Sequence, residues 1–149
     1  MNRTVLIADD DVNAQIIAET LLRVRGVPVR RAADSGEVRD ILDREDIAVV
    51  VVDISLPDMN GFELLRHLRG RFGALRSRRT PRVLAVTSRE ETEVERFAYR
   101  LGADAFLRKP LAPHQFIATI ESLLANGKDF LDPEERAMVR ATPSAGKSR

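Results

Sequence analysis

Three consecutive aspartates, Asp9, Asp10 and Asp11, follow directly on the apolar run Val5–Ala8. A fourth, Asp53, closes the run "IAVVVV"; Thr87 closes "VLAV", and Lys109 follows "AFLR". Like charges repel, and a buried carboxylate is costly to desolvate. Acids gathered at the ends of buried segments therefore call for a cation among them. The chain has no cysteine and only 2 histidines, neither near these acids in sequence, so the ligand set is oxygen. That favours a hard ion, magnesium above all, held by few protein ligands and several waters. Calcium is the other hard candidate, but there is no EF-hand loop. Lys109 and Thr87 point to a second ligand, an anion of phosphoryl type. The turn after Ala8 is acidic and lacks glycine, so a nucleotide in a glycine-rich cradle does not fit. An anion attached to a carboxylate fits better, and an aspartyl phosphate is the natural candidate.

The elements that must position these groups alternate five times. Apolar runs at 5–8, 27–29, 47–52, 83–86 and 105–107 read as strands. The unbroken, β-branched "IAVVVV" reads as a strand covered on both faces. Between the strands lie helical patterns. The first puts Ile16, Ile17, Leu21, Leu22 and Val24 near one face and stops at Gly26. The next three start with capping boxes, Asp34-x-x-Glu37, Asn60-x-x-Glu63 and Ser88-x-x-Glu91, and the last of them stops at Gly102. The fifth has Pro113 at its first position and Gly127 at its end. This alternation predicts a doubly wound α/β sandwich with a parallel sheet. In such a sheet ligands gather outside the carboxyl ends of the strands, where the singled-out residues fall.

The 149 residues suit one domain, and a net charge of +1 gives no reason to expect a nucleic-acid partner. No run approaches a membrane span, and the first residues lack a signal-peptide pattern, so a cytoplasmic protein is the expectation. The repeat occupies 1–127. In the extension 128–149, Asp132, Pro133 and Glu135 predict a short helix near 133–141. The final "TPSAGKSR" has nothing to bury and is expected to be disordered.

The pieces "VLIADDD", "VVVVDISLPDMNGFELL", "VLAVTS" and "GADAFLRKP" occur in this order, each at a strand end. With them, residues 3 to about 126 resemble a response-regulator receiver domain of two-component signalling, of the single-domain, chemotaxis-regulator-like type. The resemblance implies a flavodoxin-like sheet of order 2-1-3-4-5 with five helices. It makes Asp53 the phosphate acceptor, with magnesium held by Asp10, more indirectly by Asp9, by Asp53 and by the backbone carbonyl of Ser55. Thr87 would hydrogen-bond the phosphoryl group and Lys109 would ion-pair with it. Phe106 stands at the aromatic switch position beside Thr87. The Lys109–Pro110 bond is expected to be cis, and Pro57 and Gly61 to shape the loop after Asp53. The implied donor is a sensor histidine kinase or phosphotransfer protein. The implied downstream partner docks on the face made by the helix near 90–101, the next strand and the helix near 113–126. The protein would be a monomer or weak homodimer, with no membrane or nucleic-acid partner. It would assist its own phosphorylation and dephosphorylation without being an enzyme that turns over a substrate.

Three departures stand out. Phe106 carries no phenol, so its inward and outward positions are expected to differ by packing alone. Ala112 replaces a capping side chain before the last helix, which weakens that start by about 1 kcal/mol. Residues 64–89 contain eight arginines and no acid, and most of that charge lies in the segment 66–82. A solvated face is the plain reading of that stretch, and docking of an acidic partner or a nucleic acid the other. Plain readings also exist for Asp11, a helix cap rather than a third metal ligand, and for Phe106, a core aromatic. His67 and His114 read as surface residues. A different class is a haloacid-dehalogenase-like phosphatase, whose nucleophile motif "VLIADDDVN" approaches through Asp9 and Asp11, although Asn13 stands where Thr or Val belongs. A flavodoxin-like cofactor binder is disfavoured by the acidic first turn. The 23 residues after Asn126 are too few for an output domain. Action by docking is therefore expected, unless the sequence is a piece of a longer regulator.

Overall fold

The computed structural model describes residues 3–54, 61–72 and 81–125. Ser55, Pro57, the Asn60 cap, residues 73–80 of the arginine-rich stretch, Gly127, the helix expected near 133–141 and the boundary at 127 lie outside the described residues. The strands are β1 (Val5–Ala8), β2 (Val29–Ala32), β3 (Val49–Asp53), β4 (Arg82–Thr87) and β5 (Ala105–Arg108). The helices are α1 (Val12–Arg23), α2 (Ser35–Arg44), α3 (Gly61–Phe72), α4 (Thr92–Leu101) and α5 (Pro113–Ala125). All strand pairs are parallel, in the order β2-β1-β3-β4-β5.

Successive strand residues face opposite sides of the sheet, and the core divides accordingly. Leu6, Val50, Val52, Val83 and Ala85 pack with residues of α2, α3 and α4. Val5, Ile7, Val49, Val51, Leu84, Val86 and Leu107 pack with Ala18 and Leu22 of α1 and Phe116, Ile120 and Leu123 of α5. Burying each such aliphatic or aromatic side chain contributes about 1.5–3 kcal/mol, so an unbroken apolar strand suits the middle of this sandwich.

Three elements differ from their sequence reading, β2, α1 and the start of α4. β2 was expected at 27–29 but runs from Val29 to Ala32. Pro28 has no N–H for the ladder, and its carbonyl instead accepts from Val5 N at 3.0 Å. The strand that follows is an edge, so Arg30 and Arg31 remain exposed and pair with Glu45 at 2.9 Å and Glu19 at 3.3 Å. On α1 the buried residues are Gln15, Ala18 and Leu22, whereas Ile16, Ile17 and Val24 are 46%, 60% and 80% exposed. The expected apolar face is thus turned largely outward.

The caps follow their chemistry. Asp11 caps α1, its carboxylate accepting from Asn13 N at 3.0 Å. Asp34 Oδ1 accepts from Glu37 N at 2.9 Å, and Glu37 Oε1 returns to Ala33 N at 2.7 Å. Ser88 is not the cap residue of α4. α4 begins at Thr92, and its cap position, Glu91, makes no side-chain cap bond. Residues 88–91 are tied to β5 instead, as described below. Gly102 ends α4 at φ 122°, a conformation that suits glycine.

Candidate functional site

The parallel register brings four strand ends to one rim. Ala8 lies opposite Val52, Asp53 opposite Val86, and Thr87 opposite Arg108. The next residues along β1 and β5 are Asp9 and Lys109. Asp9, Asp53 and Thr87 are 4%, 1% and 0% exposed. The Lys109 ammonium donates to Asp9 Oδ2 at 3.0 Å and pairs with Asp53 Oδ2. One cation thus bridges two buried carboxylates from different strands.

Each member is held by its backbone surroundings. Asp9 N donates to the Ala32 carbonyl at 3.1 Å, and Asp9 Oδ1 accepts from Asp11 N at 2.9 Å. The Asp9 carbonyl accepts from the Gln15 amide at 2.5 Å, and the same amide reaches Ala32 O at 3.3 Å. Lys109 N donates to Thr87 O at 2.8 Å, so β5 delivers the ammonium beside the hydroxyl. Thr87 Oγ1 accepts from Arg89 N at 2.9 Å, and its own proton remains to donate. Burial alone would pull the Lys109 pKa down. Its hydrogen bonds to Asp53 and then to Asp9 outweigh burial and raise the pKa above the usual lysine value. The ammonium therefore stays charged through the neutral range.

Asp10 sits partly buried at the same rim, and Ser55 lies outside the described residues. Among the described residues no group of three or more carboxylate, imidazole or thiolate side chains is placed to hold a metal ion by itself. Magnesium does not require one. It is satisfied by one or two carboxylates, other oxygens and several waters, and Asp9, Asp53 and Asp10 offer hard oxygen donors at one rim. The donor chemistry fits that ion. The Lys109–Pro110 bond is cis, as expected.

Phe106 lies next to this rim, on the α4 side of the sheet. It is buried, and its ring is tilted against Tyr99 with centroids 6.5 Å apart. The Arg108 guanidinium stands 5.1 Å over the same ring. Arg108 also donates to the Arg89 carbonyl and, at 3.1 Å, to the Glu91 carbonyl. Packing alone is therefore not what places Phe106, because a cation over its ring is anchored to the loop that leaves Thr87.

Sequence reasoning missed Arg108, Gln15 and the pair Arg82–Asp104. The last two guanidinium and carboxylate side chains are each 8% exposed and 3.9 Å apart, and Asp104 Oδ2 accepts from Val83 N at 2.8 Å. Gln15 left a usable signal, since it shares helical spacing with Ala18 and Leu22. The other residues left none, because Arg and Asp at strand edges look like ordinary solvated charge.

Residues 5–121 match the family model of the response regulator receiver domain. The chain is 32% identical over 122 residues to the transcriptional regulatory protein GltR of Pseudomonas aeruginosa, covering 82% of this chain and 49% of that protein. It is 30% identical over 135 residues to the sensory/regulatory protein RpfC of Xanthomonas campestris, covering 91% of this chain and 18% of that protein. The chain therefore spans about half or less of the length of these relatives. Among solved structures, a CheY-like receiver domain protein from Methanospirillum hungatei superposes with a TM-score of 0.74 at 28% identity, covering 85% of this chain and 97% of that one. The receiver domain of the Francisella response regulator 1452 gives a TM-score of 0.75 at 25% identity, covering 85% and 100%.

Proposed function

The chain belongs to the response regulator receiver domain family, and from that premise we propose that Asp53 accepts a phosphoryl group from a phosphohistidine donor. The observation that carries this reading is the buried Asp53 carboxylate at the end of β3, bridged by Lys109 to Asp9. A carboxylate oxygen of Asp53 attacks phosphorus in line as the bond to the donor imidazole nitrogen breaks. The products are an acyl phosphate and an imidazolate that takes one proton from water to become the neutral ring. Lys109 can turn to the incoming phosphoryl oxygens, and Thr87 can donate its hydroxyl proton to one of them. Asp9, Asp10, Asp53 and the Ser55 carbonyl would hold magnesium, which when bound would add charge neutralisation at the phosphoryl oxygens. No step releases a product from Asp53 other than hydrolysis of the acyl phosphate, so the domain acts as a self-resetting switch rather than a turnover enzyme. The domain occupies 1–127, with 128–149 as an extension.

The test is stoichiometry. Acetyl phosphate with magnesium should add one phosphoryl group per chain, measured by intact mass. Sustained turnover of an added phosphomonoester would favour the phosphatase reading instead. Against that alternative stands Asp11, whose carboxylate is spent on capping α1 at Asn13 N. The remaining receiver partners follow from this reading. A histidine kinase or phosphotransfer protein supplies the phosphoryl group, and a downstream protein reads the face of α4, β5 and α5. Among the described residues no helix is long and apolar enough to cross a membrane.

The donor has to bring an imidazole to a buried carboxylate, so it must dock at the rim. α1 starts there, and Val12, Ile16 and Ile17 leave 55%, 46% and 60% of their surfaces exposed. Ile17→Asp is expected to lower the rate of transfer from a phosphohistidine protein relative to the rate with acetyl phosphate, by about tenfold. An unchanged ratio would place donor docking elsewhere.

When Thr87 is drawn to a phosphoryl group, the 88–91 loop must give up the positions that Arg108 holds. Arg108→Ala removes that restraint. The amide resonances of residues 87–91 and α4 should then shift part of the way toward those of the beryllofluoride-bound wild type. Resonances that stay at their wild-type positions would show that the guanidinium does not set this equilibrium.

A further inference from the structure

α4 presents two different sides. Tyr99 turns toward β5 and meets Phe106, while Val94 and Ala98 are buried beneath the helix. Glu93, Arg96, Phe97 and Arg100 recur at spacings of three and four, which sets them on one stripe. At 3.6 residues per turn, Tyr99 lies about 200° round the helix from Phe97. Phe97 therefore points away from the β5 side on which a downstream partner is expected. Together with Val94 and with Arg89 from the preceding loop, these residues line an open groove. Phe97 is 45% exposed there, an aromatic ring among three arginines and one glutamate.

An exposed aromatic with arginines around it is the composition of an interface centre rather than of a solvated surface. Guanidinium groups match carboxylates in a planar, two-point fashion. The apolar floor of Val94 and Phe97 has room for a side chain that a bare polyanion lacks. One ring is also too few for a run of stacked bases. We propose that this groove docks a short acidic segment of a partner protein. One apolar side chain of that segment packs on Phe97, and its carboxylates meet Arg96 and Arg100, while Arg89, paired with Glu91 at 3.3 Å, forms the end wall.

The groove is coupled to the phosphorylation rim through Arg89, and only this coupling rests on the function proposed above. Arg89 N donates to the Thr87 hydroxyl at 2.9 Å, and its carbonyl accepts from Arg108. A phosphoryl group that draws in Thr87 thus moves a residue of the groove wall.

The test uses the full chain and a fluorescein-labelled peptide of alternating Glu and Asp around a single Leu-Phe pair, read by anisotropy. Saturable binding is expected, weakened about tenfold by Arg96→Glu and again by Phe97→Ser, both at exposed positions. Beryllofluoride should change the Kd, and an identical Kd with and without it would overturn the coupling. Three results would overturn the groove itself. The first is equal binding of the peptide with Ser-Ser in place of Leu-Phe. The second is equal affinity for oligothymidylate, which carries charge alone. The third is self-association abolished by Arg96→Glu without any peptide binding, which would give the face to a second copy. Phosphoryl labelling of Asp53 by acetyl phosphate is measured separately on the unbound chain, so failure of that reading is distinguishable from failure of the groove.

Discussion

Asp53→Asn is expected to abolish labelling by acetyl phosphate completely while leaving the protein folded. The amide has nearly the same shape but is no nucleophile, and no other carboxylate in the described rim has the same setting. Asp9 is committed to Asp11 N and Lys109, and its carbonyl to Gln15. The fold should survive because the substitution removes a negative charge from a place crowded with them. Asp9 and Asp53 share the Lys109 ammonium, Asp10 follows directly on Asp9, and Lys109 keeps its partner in Asp9. Magnesium linkage gives a second readout. A ligand that binds only the folded state adds about 2.7 kcal/mol when present at about 100 times its Kd. Magnesium should therefore raise the melting temperature of the wild type, and the gain should shrink in Asp53→Asn and in Asp10→Asn. Labelling of wild type should stop when a chelator removes the ion. Undiminished labelling of Asp53→Asn would move the acceptor elsewhere. A melting temperature indifferent to magnesium in all three proteins would remove the metal from the site.

The sheet was legible because its central strands are buried on both faces, so their apolar runs have no polar interruption to confuse the reading. β2 was misplaced for the opposite reason. An edge strand gains its ladder on one side only and tolerates arginines at two of its four positions, leaving no hydrophobic pattern to find. The candidate site was legible because parallel register fixes which residues meet, and the residue after each strand could be read directly. What surrounds those residues was not legible. Arg108 acts through a ring two residues back and through carbonyls in another loop, contacts that only the folded chain brings together. On α1, periodicity counted the isoleucines as core. The structure instead gives that face to a glutamine bonded to two carbonyls and turns Ile16 and Ile17 outward. A pattern of apolar residues reports how much surface could be buried, not what buries it, and an outward stripe beside a functional rim suits a partner.

Gly61→Ala should slow labelling strongly without abolishing it, and should damage the fold as well. In an ordinary helix the change would stabilise by up to about 1 kcal/mol, since Ala is the better helix former. Here a Cβ on Gly61 would lie 2.4 Å from Ile54 Cα, 2.7 Å from Ile54 Cγ2 and 2.9 Å from the Asp53 carbonyl oxygen. Two of these three atoms are backbone, so no rotamer change relieves the contact. The start of α3 must retreat from the end of β3, or β3 must yield. Overpacking of this kind costs about 1–3 kcal/mol, which exceeds the helix gain, so the net sign is destabilising. Because the clash falls on Asp53 and the residue after it, the Asp53 carboxylate is displaced as well. Misplacement by about 1 Å can slow chemistry on the order of 100-fold. The expected result is a lower melting temperature together with slow labelling by acetyl phosphate at temperatures where the variant is fully folded. Gly36→Ala is the matching control within α2. Its Cβ would meet only the Asp34 carboxylate, at 3.3 Å, and that side chain can give way. Strain on that cap and the gain in helix propensity are each about 1 kcal/mol and oppose one another, so stability should stay near that of the wild type and labelling should not change. Wild-type melting and labelling in Gly61→Ala would mean that α3 does not approach β3 this closely, and that something other than glycine at its first position sets the loop after Asp53.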